Sequence, residues 1–316
     1  MNISVIVCTK DRPQQLLKCL EALTRQRRPA EIIVVDGSKT SPARDIIGTF
    51  RQESYKRIRY VQTAGGLSEA RNQGIKRARA DIIAFTDDDC IPDSGWTDTI
   101  IRAFQAKKNI DILVGRVAPF EPEKHKGFTA ISLHAFSRRV NMTKSSPRIV
   151  GIGTGNNMAM RRSIFSSFGG FATWLGRGSS ACATEDEEFF YRYLKAGATV
   201  LQESRALVYH NHWMTRHERD LTLARYSCGY FAMLSYHMLG GDRHAGNLLS
   251  LSLHDLLREW RKSLGFGSSR AKRKQYGKRL IFGLWGIAIG LWQQLVWRLR
   301  RIGFKNFRYQ AEFGFP

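Results

Sequence analysis

The chain has 316 residues, 43% of them hydrophobic, and a formal net charge of +23. That apolar share can bury a sizeable core, which excludes global disorder, and the length suits one large domain or two ordinary ones. The charge is uneven: residues 255–309 hold 14 Lys/Arg against two acids, Asp255 and Glu259, a block suited to anionic lipid headgroups or nucleic acid. Five scattered cysteines without metal-finger spacing point to reduced thiols in a cytosolic compartment. MNISVIVCTK enters an apolar run directly and carries no signal-peptide pattern.

In chain order, ISVIVC at 3–8 is short and β-branched and reads as a buried strand. A TKDRP turn follows, then apolar residues at helical spacing across 14–25 (Leu16, Leu17, Leu20, Leu23). EIIVVDGS is a second buried strand ending at Asp36, 45–51 is helical, and RIRYVQT is a third strand. Over 66–80 the spacing predicts a helix with Leu67, Ala70, Ile75 and Ala78 inward, and ADIIAFTDDD is a fourth strand. Strands alternating with helices argue for a parallel α/β sheet, whose ligands bind beyond the carboxyl ends of its strands. Asp11, Asp36 and the run Asp87, Asp88, Asp89 all fall just past strand ends. No GxGxxG follows the first strand and no GxxxxGK[ST] is present, so the dinucleotide and P-loop readings lack support. GIGTGNN at 151–157 comes too late to act as a phosphate loop.

Three consecutive aspartates repel one another. At ~4 Å, a pair of like charges costs roughly 1 kcal/mol in water and about 4 kcal/mol at an effective dielectric near 20. A solvated turn tolerates this, whereas a divalent cation turns the repulsion into coordination. Further on, Glu185, Asp186 and Glu187 open a helix in TEDEEFFYRYLKAG, where the macrodipole stabilises acids whether or not they do chemistry. In VYHNHW, His210 and His212 fall on the same side of an extended segment.

Taken in order, VIVCTKDRP, IIVVDGS, GGLSEARNQGI, AFTDDDCIP, GTGNNMAMRR, FGGF, LGRGS, TEDEEFFYRYLKAG and VYHNH resemble the nucleotide-sugar glycosyltransferases of family 2 over roughly residues 3–215. The resemblance implies a GT-A type α/β fold, a Rossmann-like mixed sheet flanked by helices, and a nucleotide-diphosphate sugar as donor. It implies that Asp89 and Asp87 hold Mn²⁺ or Mg²⁺ against the diphosphate, Asp87 nearer the ribose, with Asp88 facing elsewhere. Thr9, Asp11 and Asp36 would line the nucleotide pocket, Arg71 would help hold the donor, and His210, in preference to His212, would approach the metal. Asp186 would take the acceptor proton, with Glu185 as neighbour or alternative. One such base implies single displacement and inversion. Trp174 and Gly176-Arg177-Gly178 would form an acceptor or donor-sugar loop, and Asn156 and Asn157 would meet sugar hydroxyls. The Gln-x-x-Arg-Trp element of processive synthases is absent, so transfer of one or a few sugars is expected.

LIFGLWGIAIGLWQQLVW at 280–297 is uncharged and lies between KRKQYGKR and RLRR. It reaches the lower bound for a membrane span, but three glycines and a Gln pair argue against one, and its two basic flanks set no orientation. Its tryptophans, Trp285, Trp292 and Trp297, favour the membrane–water interface. The expectation is a helix lying in the cytoplasmic leaflet, held at about 1 kcal/mol per near-surface Lys/Arg; a single span and a soluble packing helix are the other readings. YSCGYFAMLSYHML at 226–239 reads as a helix covering the catalytic domain or lining the membrane face. The expected organisation is a catalytic domain at 1–220 followed by a basic, apolar helical extension at 221–316 that associates with the inner face of the cell membrane.

The function expected is metal-assisted, inverting transfer of a sugar to a saccharide or lipid-linked acceptor, with a polyprenyl-phosphate glycosyl transferase as the alternative subtype. A basic nucleic-acid-binding protein is the rival from another class. No RNP, HTH, KH or zinc signature is present and the charge gathers around an apolar segment, so no nucleic-acid partner is expected.

Overall fold

A computed structural model describes residues 1–40, 43–52, 55, 57–136, 140–142, 151–265 and 269–303. The alternation read above forms β1 (Ile3–Thr9), α1 (Pro13–Thr24), β2 (Glu31–Asp36), α2 (Ala43–Gln52), β3 (Ile58–Gln62), α3 (Leu67–Arg77) and β4 (Ile82–Asp87). After these come β5 (Cys90–Pro92), α4 (Trp96–Ala106), β6 (Ile112–Pro119), β7 (Thr129–Ala130), β8 (Val140–Met142), β9 (Asn157–Arg161) and α5 (Ile164–Phe168). Next are α6 (Glu185–Lys195), β10 (Val200–His210), β11 (Trp213–Met214) and three long helices, α7 (Arg216–Leu239), α8 (Arg243–Leu264) and α9 (Arg270–Gly303).

The main sheet has nine strands in the order β3-β2-β1-β4-β9-β6-β10-β5, with β8 also on β10. β1 to β4 are mutually parallel. β9 is antiparallel to both β4 and β6, so the two reversals cancel and β6 and β10, themselves parallel, run with β1. The sheet is therefore mixed. This topology brings the carboxyl ends of β1, β2, β4 and β10 and the start of β9 to one edge. Register places Thr9 beside Asp36 and Cys8 beside Asp87 there.

Helices cover both faces, which is why the central strands are apolar almost throughout instead of alternating. On β1, Val5 and Val7 face a core with Leu16, Leu20, Trp96 and Phe104 of α1 and α4. Ile6 faces the opposite core, with Ala70, Ile75, Phe189, Phe190, Phe231 and Met233 of α3, α6 and α7. Each fully buried side chain of this kind contributes about 1.5–3 kcal/mol relative to exposure.

The last three helices belong to that second core. α7 starts at a capping box in which Glu218 N–H donates to Thr215 Oγ1 at 3.3 Å and Thr215 N–H donates to Glu218 Oε2 at 2.8 Å. α7 is the covering helix anticipated from the sequence: Cys228, Phe231, Ala232, Met233 and Leu234 are buried. Across it lies α9, and the glycines that argued against a span form the seam. A Cβ on Gly286 or Gly290 would collide with the carbonyl oxygens of Cys228 and Ala232. Ser235 Oγ donates to the Ile287 carbonyl across the same seam at 3.2 Å. The opposite face of α9 exposes Ile281, Leu284, Trp285, Trp292, Leu295 and Leu299. Arg270–Leu299 is long and apolar enough to cross a membrane. Gly286→Leu is expected to overpack the seam, lowering stability by about 1–3 kcal/mol in denaturant unfolding and opening α9 to limited proteolysis.

Candidate active site

The carboxyl edge of the sheet opens into a cavity of ≈ 950 Å³. Among the residues singled out from the sequence, Thr9, Asp11, Arg71, Asp87, Asp89, Glu185, Asp186 and His210 line it. Asp36 lies beneath the floor, fully buried. Its Oδ1 accepts from Ser38 N–H at 2.8 Å, and the Tyr60 hydroxyl lies 3.4 Å from Oδ2.

The aspartate run is answered by an arginine and two histidines. Arg12, at the start of α1, reaches Asp88 Oδ1 at 3.2 Å and Asp89 Oδ2 at 2.9 Å through one nitrogen. His210 Nε2 lies 3.3 Å from Asp89 Oδ1, and His212 Nδ1 lies 2.9 Å from Asp89 Oδ2. Burial opposes the Asp89 charge, but the two histidines and Arg12 hold its pKa well below the ordinary carboxylate value. Asp88 does not face elsewhere. It lines the cavity, is 4% exposed and accepts from Thr9 Oγ1 at 2.8 Å. Burial, followed by repulsion from Asp89, pushes its pKa up to about 7. Sequence reasoning preferred His210 to His212, and the structure places both imidazoles on Asp89. Their rings are stacked with centroids 5.7 Å apart, as spacing i, i+2 on extended chain dictates.

The second group of acids is tied to the first by Arg71. This α3 residue is 2% exposed, contacts Glu185 Oε1 at 2.7 Å and Asp87 Oδ1 at 3.5 Å, and stands 5.3 Å from the Phe171 ring centroid. Burial opposes its charge, yet Glu185 and Asp87 keep its pKa raised. Glu185 is itself raised by burial against the lowering effect of Arg71. Asp186 is half-buried at the cavity wall. Its Oδ2 accepts from Gly155 N–H at 2.7 Å and its Oδ1 from Glu187 N–H at 3.0 Å, which fixes the plane of the carboxylate. Thr184, just before these acids, has φ 67°, a left-handed conformation that costs a β-branched residue energy and marks strained functional turns. Gly229 of α7 faces it so closely that a Cβ there would overlap Thr184 Oγ1.

Two expectations are corrected. Asn157 is fully buried, and its amide bonds Trp96 Nε1 at 2.9 Å and the carbonyls of Arg116 and Ala206 at 2.8 and 2.9 Å. It joins strands and, fully buried, does not line the cavity. Trp174 packs on Tyr236, ring centroids 5.1 Å apart, and leaves Arg177 and Gly178 to face the cavity. Asn156 does border the cavity. Arg12 went unnoticed because TKDRP reads as a turn, although a basic residue one helix start away from three acids was a usable signal. Tyr226, Tyr230, Tyr276 and Arg279 also line the cavity; nothing local in their segments marks them.

A Rossmann-like mixed sheet with acids and cations gathered at its carboxyl edge defines the class of enzymes that handle nucleotide-activated substrates there. Residues 4–169 match Glycosyl transferase family 2, and the chain belongs to that family: it is a nucleotide-sugar glycosyltransferase with the GT-A fold. A glucosyl-dolichyl phosphate glucuronosyltransferase of Haloferax volcanii is 24% identical over 71% of this chain and 74% of its own length. The structure of S. aureus TarS 1–349 in complex with UDP-GlcNAc superposes with TM-score 0.62 at 15% identity, covering 95% of this chain and 92% of the other. That of the Pyrobaculum calidifontis mannosyltransferase PcManGT with GDP-Man and Mn²⁺ gives TM-score 0.60 at 14% identity, covering 93% and 88%.

Glu187 offers a titration separate from the aspartate run. Burial, then Asp186 and Glu185, push its carboxyl up to about 8. Because the folded protein holds this proton longer than the unfolded chain, wild-type stability falls as pH rises from the unfolded value near 4.5 through 8. Glu187→Gln is therefore expected to gain on wild type by at most about 5 kcal/mol between acidic and alkaline pH, read from urea midpoints across that range.

Proposed function

We propose that this enzyme moves a hexosyl unit from a nucleotide-diphosphate donor to a hydroxyl of a saccharide or lipid-linked acceptor, with inversion and divalent-metal assistance. The observation that carries this reading is Arg71, which joins Asp87, one of the metal-binding candidates, to Glu185 beside the proposed base. Donor and acceptor chemistry thus share one rigid wall.

The donor set fits a dication. His210 Nδ1 lies 2.9 Å from the Ile131 carbonyl, so that nitrogen carries a proton and donates, the outer support usual for an imidazole that presents its other nitrogen to a metal. Nε2 then turns toward Asp89. Ligand atoms of Asp89, Cys90 and His210 lie within 4.8 Å of one another. Burial raises the Cys90 thiol well above its ordinary pKa, and the Asp89 carboxylate and His210 imidazole supply oxygen and nitrogen donors. Carboxylates with waters and phosphate suit Mn²⁺ or Mg²⁺. Asp89, Asp87 and His210 would hold the ion, which when bound supplies charge neutralisation for the leaving diphosphate. Arg12, at the same edge, adds a fixed positive charge.

Asp186 takes the proton of the acceptor hydroxyl as its oxygen bonds to the anomeric carbon and the bond to the diphosphate breaks. Attack opposite the leaving group inverts the configuration. Asp186 keeps its orientation through the backbone N–H groups of Gly155 and Glu187, and Arg71 positions Glu185 without touching the reacting atoms.

The proposed organisation is a catalytic domain at 1–220 with a membrane-associating region at 221–316, working at the cytoplasmic face. The exposed α9 stripe, with Trp285 and Trp292 beside a basic block, supports an anionic lipid surface as its partner. A relative named for glucosyl-dolichyl phosphate supports a lipid-linked acceptor.

Calorimetry with UDP, GDP, dTDP and CDP is expected to show Mn²⁺-dependent binding of one nucleotide, lost in Asp89→Ala. Asp186→Asn should keep that binding and slow transfer by about 10²–10⁴-fold. Binding that ignores the metal and Asp89 would refute the site. On flotation with vesicles containing anionic lipid, wild type should rise with the vesicles, while Trp285→Glu/Trp292→Glu should stay behind with its fold intact. Equal flotation of both proteins would refute the α9 membrane face.

A further inference from the structure

The cavity does not end at the catalytic carboxylates. It continues between α7, α8 and α9, where Tyr226, Tyr230, Tyr276 and Arg279 form part of its wall. Arg279 is half-buried there. Its Nε donates to Ser227 Oγ at 3.2 Å, and its guanidinium stands 5.8 Å from the Tyr276 ring centroid. Among the described residues no carboxylate forms an ion pair with it. The nearby acids of α8 are answered locally, Asp255 by Arg258 and Glu259 by Lys262, each at 3.0 Å. A guanidinium carries five donors in a planar fork, and a partly desolvated one with a single hydroxyl partner calls for an anion of matching geometry.

Two placements narrow the anion. Arg279 is the last charged residue before the uncharged stretch 280–297, so it stands where a membrane-borne headgroup meets an apolar carrier. On the helical wheel it shares the face of Gly283, Gly286 and Gly290, which seats on α7, and so points into the protein, away from Ile281, Leu284 and Trp285. Its partner Ser227 is two residues from Gly229, the α7 glycine that abuts Thr184 just before the catalytic acids.

We infer that this end of the cavity is the acceptor subsite and that Arg279 there binds a phosphate borne by the acceptor. Tyr230 and Tyr276 line the same cavity as Arg279 and Asp186. The inference rests on the glycosyltransferase reading and names the acceptor class within it: a saccharide or alcohol carried on phosphate.

The test uses the full chain in detergent, with geranyl phosphate as probe, geraniol as control and glycerol 3-phosphate as soluble competitor. Binding is followed by ³¹P line broadening and calorimetry. Geranyl phosphate should bind wild type and bind Arg279→Gln at least tenfold more weakly, geraniol should not bind, and nucleoside diphosphate binding should be equal in both proteins. Competition by glycerol 3-phosphate supports the subsite and assigns a phosphate recognised without lipid; lack of competition supports it and assigns a lipid phosphate. Equal affinity in Arg279→Gln, or no geranyl phosphate binding by wild type that still binds its nucleotide, overturns the inference and leaves the glycosyltransferase reading standing. Wild type that binds no nucleotide fails that reading, and the inference with it. Should Arg279→Gln not fold, Arg279→Lys, which keeps the charge but not the fork, and Ser227→Ala give the same readout.

Discussion

Arg71 is the interaction on which the site depends. A guanidinium 2% exposed on α3 pairs with Asp87 from β4 and with Glu185 from α6, residues far apart in the chain. Removing one partner of a buried ion pair typically costs about 3–5 kcal/mol, because the other charge stays buried without compensation. The arrangement around it leaves little slack. A Cβ on Gly155 would press into the guanidinium, and one on Gly66 would meet the Arg177 carbonyl, which accepts from Leu67 N–H at 2.9 Å. α3, the loop before α6 and the start of β9 are thereby held around a single charge.

The rest of the edge follows the same electrostatic logic. The protein as a whole is strongly basic, yet acids concentrate where parallel strands end. Arg12, His210 and His212 all converge on Asp89, and Arg12 also holds Asp88. Asp88 is pushed up to about 7 by burial and its neighbour, because repulsion within the run disfavours a further buried negative charge. That condition favours an incoming cation, and it ties charge balance at the sheet edge to the proposed donor chemistry.

The C-terminal helices join the catalytic part through a common core and through the cavity wall. α7 contributes Phe231 and Met233 to the packing around α6, and its Gly229 abuts the strained Thr184. α9 has two faces of opposite character, a glycine seam on α7 and an exposed apolar stripe. The packed side of the same helix also lines the cavity through Tyr276 and Arg279.

What could be read in advance was local. Short β-branched runs, helical spacing and the switch from apolar strand to acidic turn determined the alternating elements, because each depends on neighbours within a few residues. The topology rule for such sheets then put Asp87, Asp89 and Asp11 at one edge. Glycines at 286 and 290 looked like defects in an apolar helix, since only the opposing α7 backbone explains why a side chain has no room there. Asn157 looked free to bind a sugar, since only β6, α4 and β10 packed around it reveal that its amide is already used. The sequence by itself determined which chemical groups are present and which strand ends carry them. Tertiary structure alone decided which charges meet, because Arg71 with Glu185, Arg12 with Asp88 and Asp89, and Arg279 with Ser227 are contacts between residues that no local pattern relates.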